Sequence, residues 1–357
     1  MVDTMARLAL LVLVLVGCGS TGTLSGPEPL TDAGPALDMD GADAASEPDA
    51  GAEFQPDAGV ARPVDGGPAP DAGPPETDGG PAPTPDAGVV APEPIPGDDV
   101  RMTFATVNIG RNYGTRAQVA SVIRRVADVV GSKLGDQFIG WQEIGEGDPC
   151  GGCELEIVQS AFGSGGGWNT WRPAGTRPDG ANERVKVPVT ARRANGGASA
   201  RAAFASPGWA GVSPTRFVTV VHYPQRNLSM INTHLIAGAW SCKSNRDQRR
   251  DYWRRGWDTL KAQVRREHDR GRNVIVTGDL NRPRGANSCN PAWDPTSLHG
   301  QARIIGGAGI DYVFAVPAPG WSFAFDRRGD DSIRRGSFDL GIDSHRGHWV
   351  TGRFGVR

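Results

Sequence analysis

The apolar, β-branched run Asn273-Val274-Ile275-Val276-Thr277 stops at Gly278-Asp279-Leu280-Asn281. Such a run reads as a buried strand. An acid and an amide two residues apart at its end point to the same side of the strand edge. Other segments repeat the arrangement. Phe104-Ala105-Thr106-Val107 ends in Asn108, Phe138-Ile139-Gly140-Trp141 in Gln142-Glu143, and Met230-Ile231-Asn232-Thr233 in His234. Further on, Gly309-Ile310 leads into Asp311-Tyr312-Val313-Phe314. Several strands that each finish in a metal-binding or proton-handling residue form a layout suited to phosphodiester cleavage, which needs a cation, an activated water and a stabilised leaving oxygen.

In this order the motifs resemble those of the endonuclease/exonuclease/phosphatase superfamily, and the resemblance spans roughly residues 101–357. Each motif alone is weak; it is their succession that is specific. The resemblance implies a four-layered α/β sandwich, two packed mixed β-sheets flanked by helices. It also implies a metal-dependent phosphodiesterase. Glu143 is the expected ligand for Mg²⁺ or Mn²⁺, since a hard carboxylate suits such an ion, with Asn108 supporting the same cluster. By the same resemblance His234 contacts a phosphoryl oxygen, Asp279 positions or deprotonates the attacking water, and Asn281 donates to the phosphate. Asp311 pairs with the last catalytic histidine and fixes its tautomer.

The C-terminal motif departs from the superfamily's Ser-Asp-His, reading Asp343-Ser344-His345-Arg346-Gly347-His348-Trp349. Two histidines therefore compete for the acid/base role. His348 leads directly into Trp349–Phe354, read as the last strand, and is the first choice. His345 lies nearer Asp343, the expected further metal ligand, and is the second.

Composition divides the chain into three parts. Arg7 and the apolar run Leu8–Val16 suit a signal-peptide core, and Leu15-Val16-Gly17-Cys18 resembles a bacterial lipobox, with Cys18 the lipidated residue. Residues 19–99 are rich in Pro, Ala, Gly and Asp, with Pro-Asp-Ala-Gly recurring. Such sequence cannot bury enough apolar surface to offset its ordering entropy, so it reads as a disordered tether. Residues 100–357 form the expected catalytic domain. The chain is thus expected to be exported and monomeric, touching a membrane only through its lipid.

The formal charge of −2 hides an asymmetry. The first 99 residues hold 18 acids and two bases, leaving 22 acids against 36 bases, a formal +14, for the rest. A basic domain favours a polyanionic partner. That points to DNA or RNA as substrate, with a lipid or small phosphate ester as the alternative. Trp168, Trp171, Trp209 and Trp240 could supply the exposed aromatic loop of a lipid enzyme, or could equally be core.

Cys150, Cys153, Cys242 and Cys289 make an even number in an exported chain, so disulfides are the default. The local pair Cys150–Cys153 with Cys242–Cys289 is the preferred pairing. Cys150-Gly-Gly-Cys153 also looks like half a zinc site, but no second half follows. Helices are expected after Thr115, over Glu154–Phe162, and over residues 245–270. In the last, Trp253, Trp257, Leu260 and Val264 share one face, and Arg246, Arg250 and Arg254 form a separate row.

Overall fold

The computed structural model describes residues 100–357, apart from 112, 134, 147–151, 193–195, 210–212, 243–245, 327–333, 342–344 and 357. Cys18 and the tether therefore lie outside the described residues, as do Cys150 and Asp343. Among the described residues no helix is long and apolar enough to cross a membrane.

Fifteen strands and three α-helices follow one another along the described chain. β1 (Met102–Asn108), α1 (Arg116–Gly131), β2 (Asp136–Gln142) and α2 (Cys153–Ala161) come first. Next are β3 (Trp168–Trp171), β4 (Ala174–Thr176), β5 (Asn182–Arg184), β6 (Val189–Arg192) and β7 (Ser199–Ser206). β8 (Arg216–Tyr223), β9 (Leu228–His234), α3 (Arg246–His268), β10 (Asn273–Asp279), β11 (Arg303–Ala308) and β12 (Asp311–Val316) make up the centre. β13 (Trp321–Phe325), β14 (Arg335–Asp339) and β15 (Arg346–Val356) close the chain.

The strands form two large mixed sheets, one ordered β13-β15-β1-β2-β6-β3 with β14 also pairing with β15, the other β11-β12-β10-β9-β8-β7. Parallel pairs β1–β2 and β9–β10 sit at their centres, and each is joined by a helical crossover. Between the sheets lies a core of Phe104, Phe138 and Val350 from the first and Met230, Ile275 and Val313 from the second. On the outer face of the first sheet α1 and α2 bury Val122, Val126, Ile157 and Val158 against Val107, Ile139 and Trp141. On the outer face of the second, α3 buries Trp253, Trp257, Leu260 and Val264 against Val218, Ile231 and Val276. The result is the α/β/β/α sandwich expected from the sequence.

Local chemistry explains the helix limits. Thr115 accepts from the Gln118 N–H while the Gln118 side chain returns to the Thr115 N–H, a capping box that starts α1. α3 ends at Glu267 and His268, where the buried Glu267 carboxylate gathers Arg201 (2.8 Å), Arg272 (2.5 Å) and the Ser229 hydroxyl (2.6 Å). Burial opposes that charge, but the Ser229, Arg201 and Arg272 contacts outweigh it and pull the carboxyl from 4.5 down to about 2. A folded-state value below the unfolded one means this stabilisation is present above about pH 4.5 and lost as pH falls towards 2. Urea midpoints measured down this range should fall more steeply for the native protein than for Glu267→Gln. Parallel curves would show that the cluster contributes nothing specific.

Three features of the structure add to what the sequence shows. β7 was unforeseen, since Ser-Ala-Arg-Ala-Ala-Phe-Ala-Ser has almost no β-formers; it is an edge strand held by β8 and covered by α3. The arginine row on α3 is not uniformly solvated. Arg250 donates to the Ala239 carbonyl (3.1 Å) and to that of Cys289, while Arg254 is exposed and pairs with Asp251 (2.8 Å). Nor do the tryptophans form an exposed loop. Trp168 packs on Phe162 and Trp240 on Trp253, both buried, while Trp171 and Trp209 are partly covered.

Candidate active site

Side chains alternate along a strand, and here the alternation fixes where the polar ends point. On β1, Met102 and Phe104 face the other sheet, so Asn108 does too. On β9, Leu228 and Met230 face inward and therefore so does His234; on β10, Ile275 puts Asp279 inward; on β12, Val313 and Ala315 do the same for Asp311. Four strand ends thus meet in the seam between the sheets. Beneath them Asn232 bridges the seam. Its amide donates to the carbonyls of Trp141 (2.7 Å) and Pro188 (3.0 Å), and its oxygen accepts from Gln142 (2.7 Å) and Thr277 (3.1 Å). A Cβ on Gly140 would collide with Thr277 Oγ1 and Asn232 Oδ1, so glycine here sets how closely the sheets approach.

Asn108 Nδ2 donates to Asp279 Oδ2 at 2.9 Å and lies 3.4 Å from Glu143 Oε1, joining the two sheets' carboxylates. Asp279 Oδ1 accepts the Asn281 backbone N–H at 2.7 Å, so both of its oxygens are oriented. Asn281 itself sits at φ 49°, and its side-chain amide donates to the Leu235 carbonyl at 2.9 Å. Glu143, just past β2, also has positive φ (67°), a conformation that turns its carboxylate into the seam at a backbone cost. His234 Nε2 lies 3.8 Å from Glu143 Oε1 and 3.7 Å from Asp279 Oδ2.

Among the described residues, ligand atoms cluster twice. Glu143, Glu146 and His234 form one group and Asp279, Asp311 and His345 another, each with its atoms within 4.8 Å of one another. Burial, and then the Asp311 carboxylate, push Asp279 up to about 8 against the opposing pull of His345, Asn281 and Asn108. Burial would depress His345, but the facing carboxylates of Asp311, Asp279 and Glu143 raise it to about 9. Its Nδ1 stands 3.7 Å from Asp311 Oδ2, an ion-pair contact longer than a hydrogen bond.

The two C-terminal histidines stand differently in the structure. β15 begins at Arg346, two residues before His348, so that histidine is an interior strand residue paired with Thr106 of β1. It is buried, and that burial lowers its pKa. His345, immediately before the strand, is the one that reaches Asp311. Asp343, the expected further ligand, lies outside the described residues.

Two site residues escaped the sequence reading. Glu146, three residues after Glu143, and Arg216, the first residue of β8, are joined at 2.5 Å, and Arg216 Nη1 lies 3.0 Å from His234 Nδ1. Arg111 also contacts Glu143 (3.3 Å) and Glu146 (3.1 Å). A carboxylate three residues after Glu143 was the available signal. Arg216 gave none, because an arginine opening a strand ordinarily reads as solvated.

The segment after Asn281 is firmly held. The Arg282 guanidinium lies 3.5 Å from the Trp240 ring centroid, 4.6 Å from Trp293 and 5.1 Å from Trp253. It donates to Asn290 Oδ1 (3.0 Å) and the Pro291 carbonyl (3.2 Å), and burial lowers its pKa to about 10. Cys242 and Cys289 are joined in a disulfide with Cα atoms 5.2 Å apart, tying this segment to the one before α3. Cys153 is disulfide-bonded as well, which leaves no thiolate there for zinc.

No protein-family model and no curated protein matches the chain. Solved structures do resemble it. An endonuclease/exonuclease/phosphatase from Beutenbergia cavernae is 16% identical with a TM-score of 0.44, the match covering 72% of each chain. A family protein of the same description from Bacteroides thetaiotaomicron is 12% identical over 72% of this chain and 95% of its own, also at 0.44. TDP2 from D. rerio, complexed with a single-strand DNA product, is 12% identical over 71% of this chain and all of its own, again at 0.44.

Proposed function

We propose that the chain is a divalent-cation-dependent phosphodiesterase of the endonuclease/exonuclease/phosphatase type, acting on nucleic acid. The observation that carries this reading is the convergence of Asn108, Glu143, His234, Asp279, Asp311 and His345, from both sheets, on one seam. The residues fit a cation such as Mg²⁺ or Mn²⁺. Glu143, Glu146, Asp279 and Asp311 offer hard carboxylate oxygens, Asp311 keeps a buried carboxylate oxygen without a hydrogen bond, and the Arg111 cation already lies against Glu143. Glu143 would hold the ion, with Asn108 orienting the carboxylate. A bound cation would offset charge on the phosphoryl oxygens.

The chain's own groups supply the rest. Asp279, with both oxygens fixed by Asn108 and Asn281, positions the attacking water and accepts its proton. His234 faces the phosphoryl oxygens through Nε2. His345, kept protonated by Asp311, gives its proton to the leaving oxygen. Asn281 retains a second amide hydrogen beyond the one given to Leu235, and this is free to meet phosphate. Nucleic acid is favoured over a lipid or small ester by the formal +14 of residues 100–357 and by the lack of exposed aromatic side chains among the described residues. Residues 1–99 complete the proposal as a signal, a lipidated Cys18 and a tether that export the domain and hold it at a membrane as a monomer.

The test is hydrolysis of DNA, RNA, sphingomyelin and inositol phosphates with Mg²⁺, with Mn²⁺, and in EDTA. Cation-dependent cleavage of a polynucleotide, with binding that weakens steeply as salt rises, is the expected result. Undiminished turnover in EDTA would sink the mechanism. Turnover of only the lipid or small esters would move the substrate to the second class.

A further inference from the structure

The buried arginine at the foot of β8 has no part in the scheme above, yet it touches the ring of His234. Arg216 is 2% exposed and Glu146, its partner, has a side chain equally shut from solvent. A buried ion pair is weak support for stability, since desolvation offsets most of the attraction. Its placement is more telling. Nη1 of Arg216 lies between Glu146 Oε1, at 2.5 Å, and His234 Nδ1, at 3.0 Å, while Glu146 Oε1 stands 3.9 Å from that same Nδ1.

A guanidinium can only donate. An imidazole nitrogen receiving its N–H must therefore carry a lone pair, so the ring proton sits on Nε2. Had Glu146 met Nδ1 directly, the opposite would hold: a carboxylate there demands an N–H on Nδ1. The arginine thus stands between the ring and a carboxylate that would otherwise choose the other tautomer.

We infer that Arg216, anchored by Glu146, is a positioning residue that locks His234 as the neutral Nε2–H tautomer, so that this ring enters the seam as a hydrogen-bond donor and not as a base. The purpose assigned to that donor rests on the phosphodiesterase reading; the tautomer itself does not. His234 Nε2 opens onto the space bordered by Glu143 and Asp279, where both flanking groups are carboxylates. A donor fixed in advance between them stabilises charge developing on a phosphoryl oxygen without reorganising when the reaction occurs. It also divides the labour between the two histidines: His345, facing Asp311, carries a transferable proton, whereas His234 keeps its own.

The experiment is nitrogen-15 NMR of the full chain with labelled histidine, six residues in all, the His234 signals being assigned by their loss in His234→Gln. At neutral pH the native ring should show Nδ1 without a proton and Nε2 with one. In Arg216→Met, Glu146 becomes the nearest partner and Nδ1 should gain a proton. Arg216→Lys, which keeps a cationic donor, should restore the native pattern. A native ring protonated at Nδ1, or one unchanged in Arg216→Met, overturns the inference. If Arg216→Met does not fold, the native spectrum and Arg216→Lys decide it. With a cleavable substrate, Arg216→Met should lower kcat by roughly 10-fold to 10²-fold with KM little altered. The native tautomer in a protein that cleaves no phosphoester would leave this inference standing and remove the functional one.

Discussion

Asp279→Ala should lower kcat by roughly 10²-fold or more, the scale expected when a general base or its oriented water is lost. The fold should survive, because Asp279 lies at the end of β10 and its removal also relieves the repulsion with Asp311 that helps raise its pKa to about 8. The companion comparison is between the two C-terminal histidines. His345→Ala should cripple turnover to a similar degree, since it removes the group raised to about 9 beside Asp311. His348→Ala should keep near-normal turnover and act instead on stability, as deletion of a buried strand side chain does. Kinetics of all three variants under saturating Mg²⁺ decide the matter. A crippled His348→Ala beside an active His345→Ala would reverse the assignment.

The second large effect falls on the fold. Gly140→Ala should cost about 3 kcal/mol, because its methyl would be driven into Thr277 and Asn232 across the seam. Neither neighbour is the loose end of a flexible side chain. Asn232 is held by four hydrogen bonds and Thr277 sits on a central strand. Denaturant unfolding measures the loss, and activity should fall with it, since Asn108 and Glu143 stand on one side of that gap and His234 and Asp279 on the other. A variant as stable as the native protein would mean that the sheets can part without consequence.

Asn108, His234, Asp279 and Asp311 were legible in the sequence because the period of two places a strand's terminal polar residue on the same face as the inward apolar ones. α3 was legible from its tryptophan spacing, and the Cys242–Cys289 pairing from the positions of both residues near site strands. Which of His345 and His348 stands against Asp311 was not legible, because it depends on where β15 begins, and strand boundaries are poorly marked in sequence. Arg216, Glu146 and the closeness of Gly140 to Asn232 were hidden for a different reason. Each acquires its meaning from a neighbour on another strand, and no local pattern carries that information.

The order of strands has a further consequence, in time and not in space. β7 to β12 make the second sheet from one continuous stretch, so its pairings are available soon after that stretch is made. The first sheet is assembled from both flanks. β1 has β2 on one side and β15 on the other, so its second neighbour is the last strand of the described chain. Pairings across so long a separation are slow, because loop-closure entropy is spent before any contact repays it. During synthesis β1 would wait with one edge unpaired, a hazard for association with other chains. His345 would reach Asp311 only as β15 docks, so activity should be the final property to appear on refolding, after the second sheet has formed.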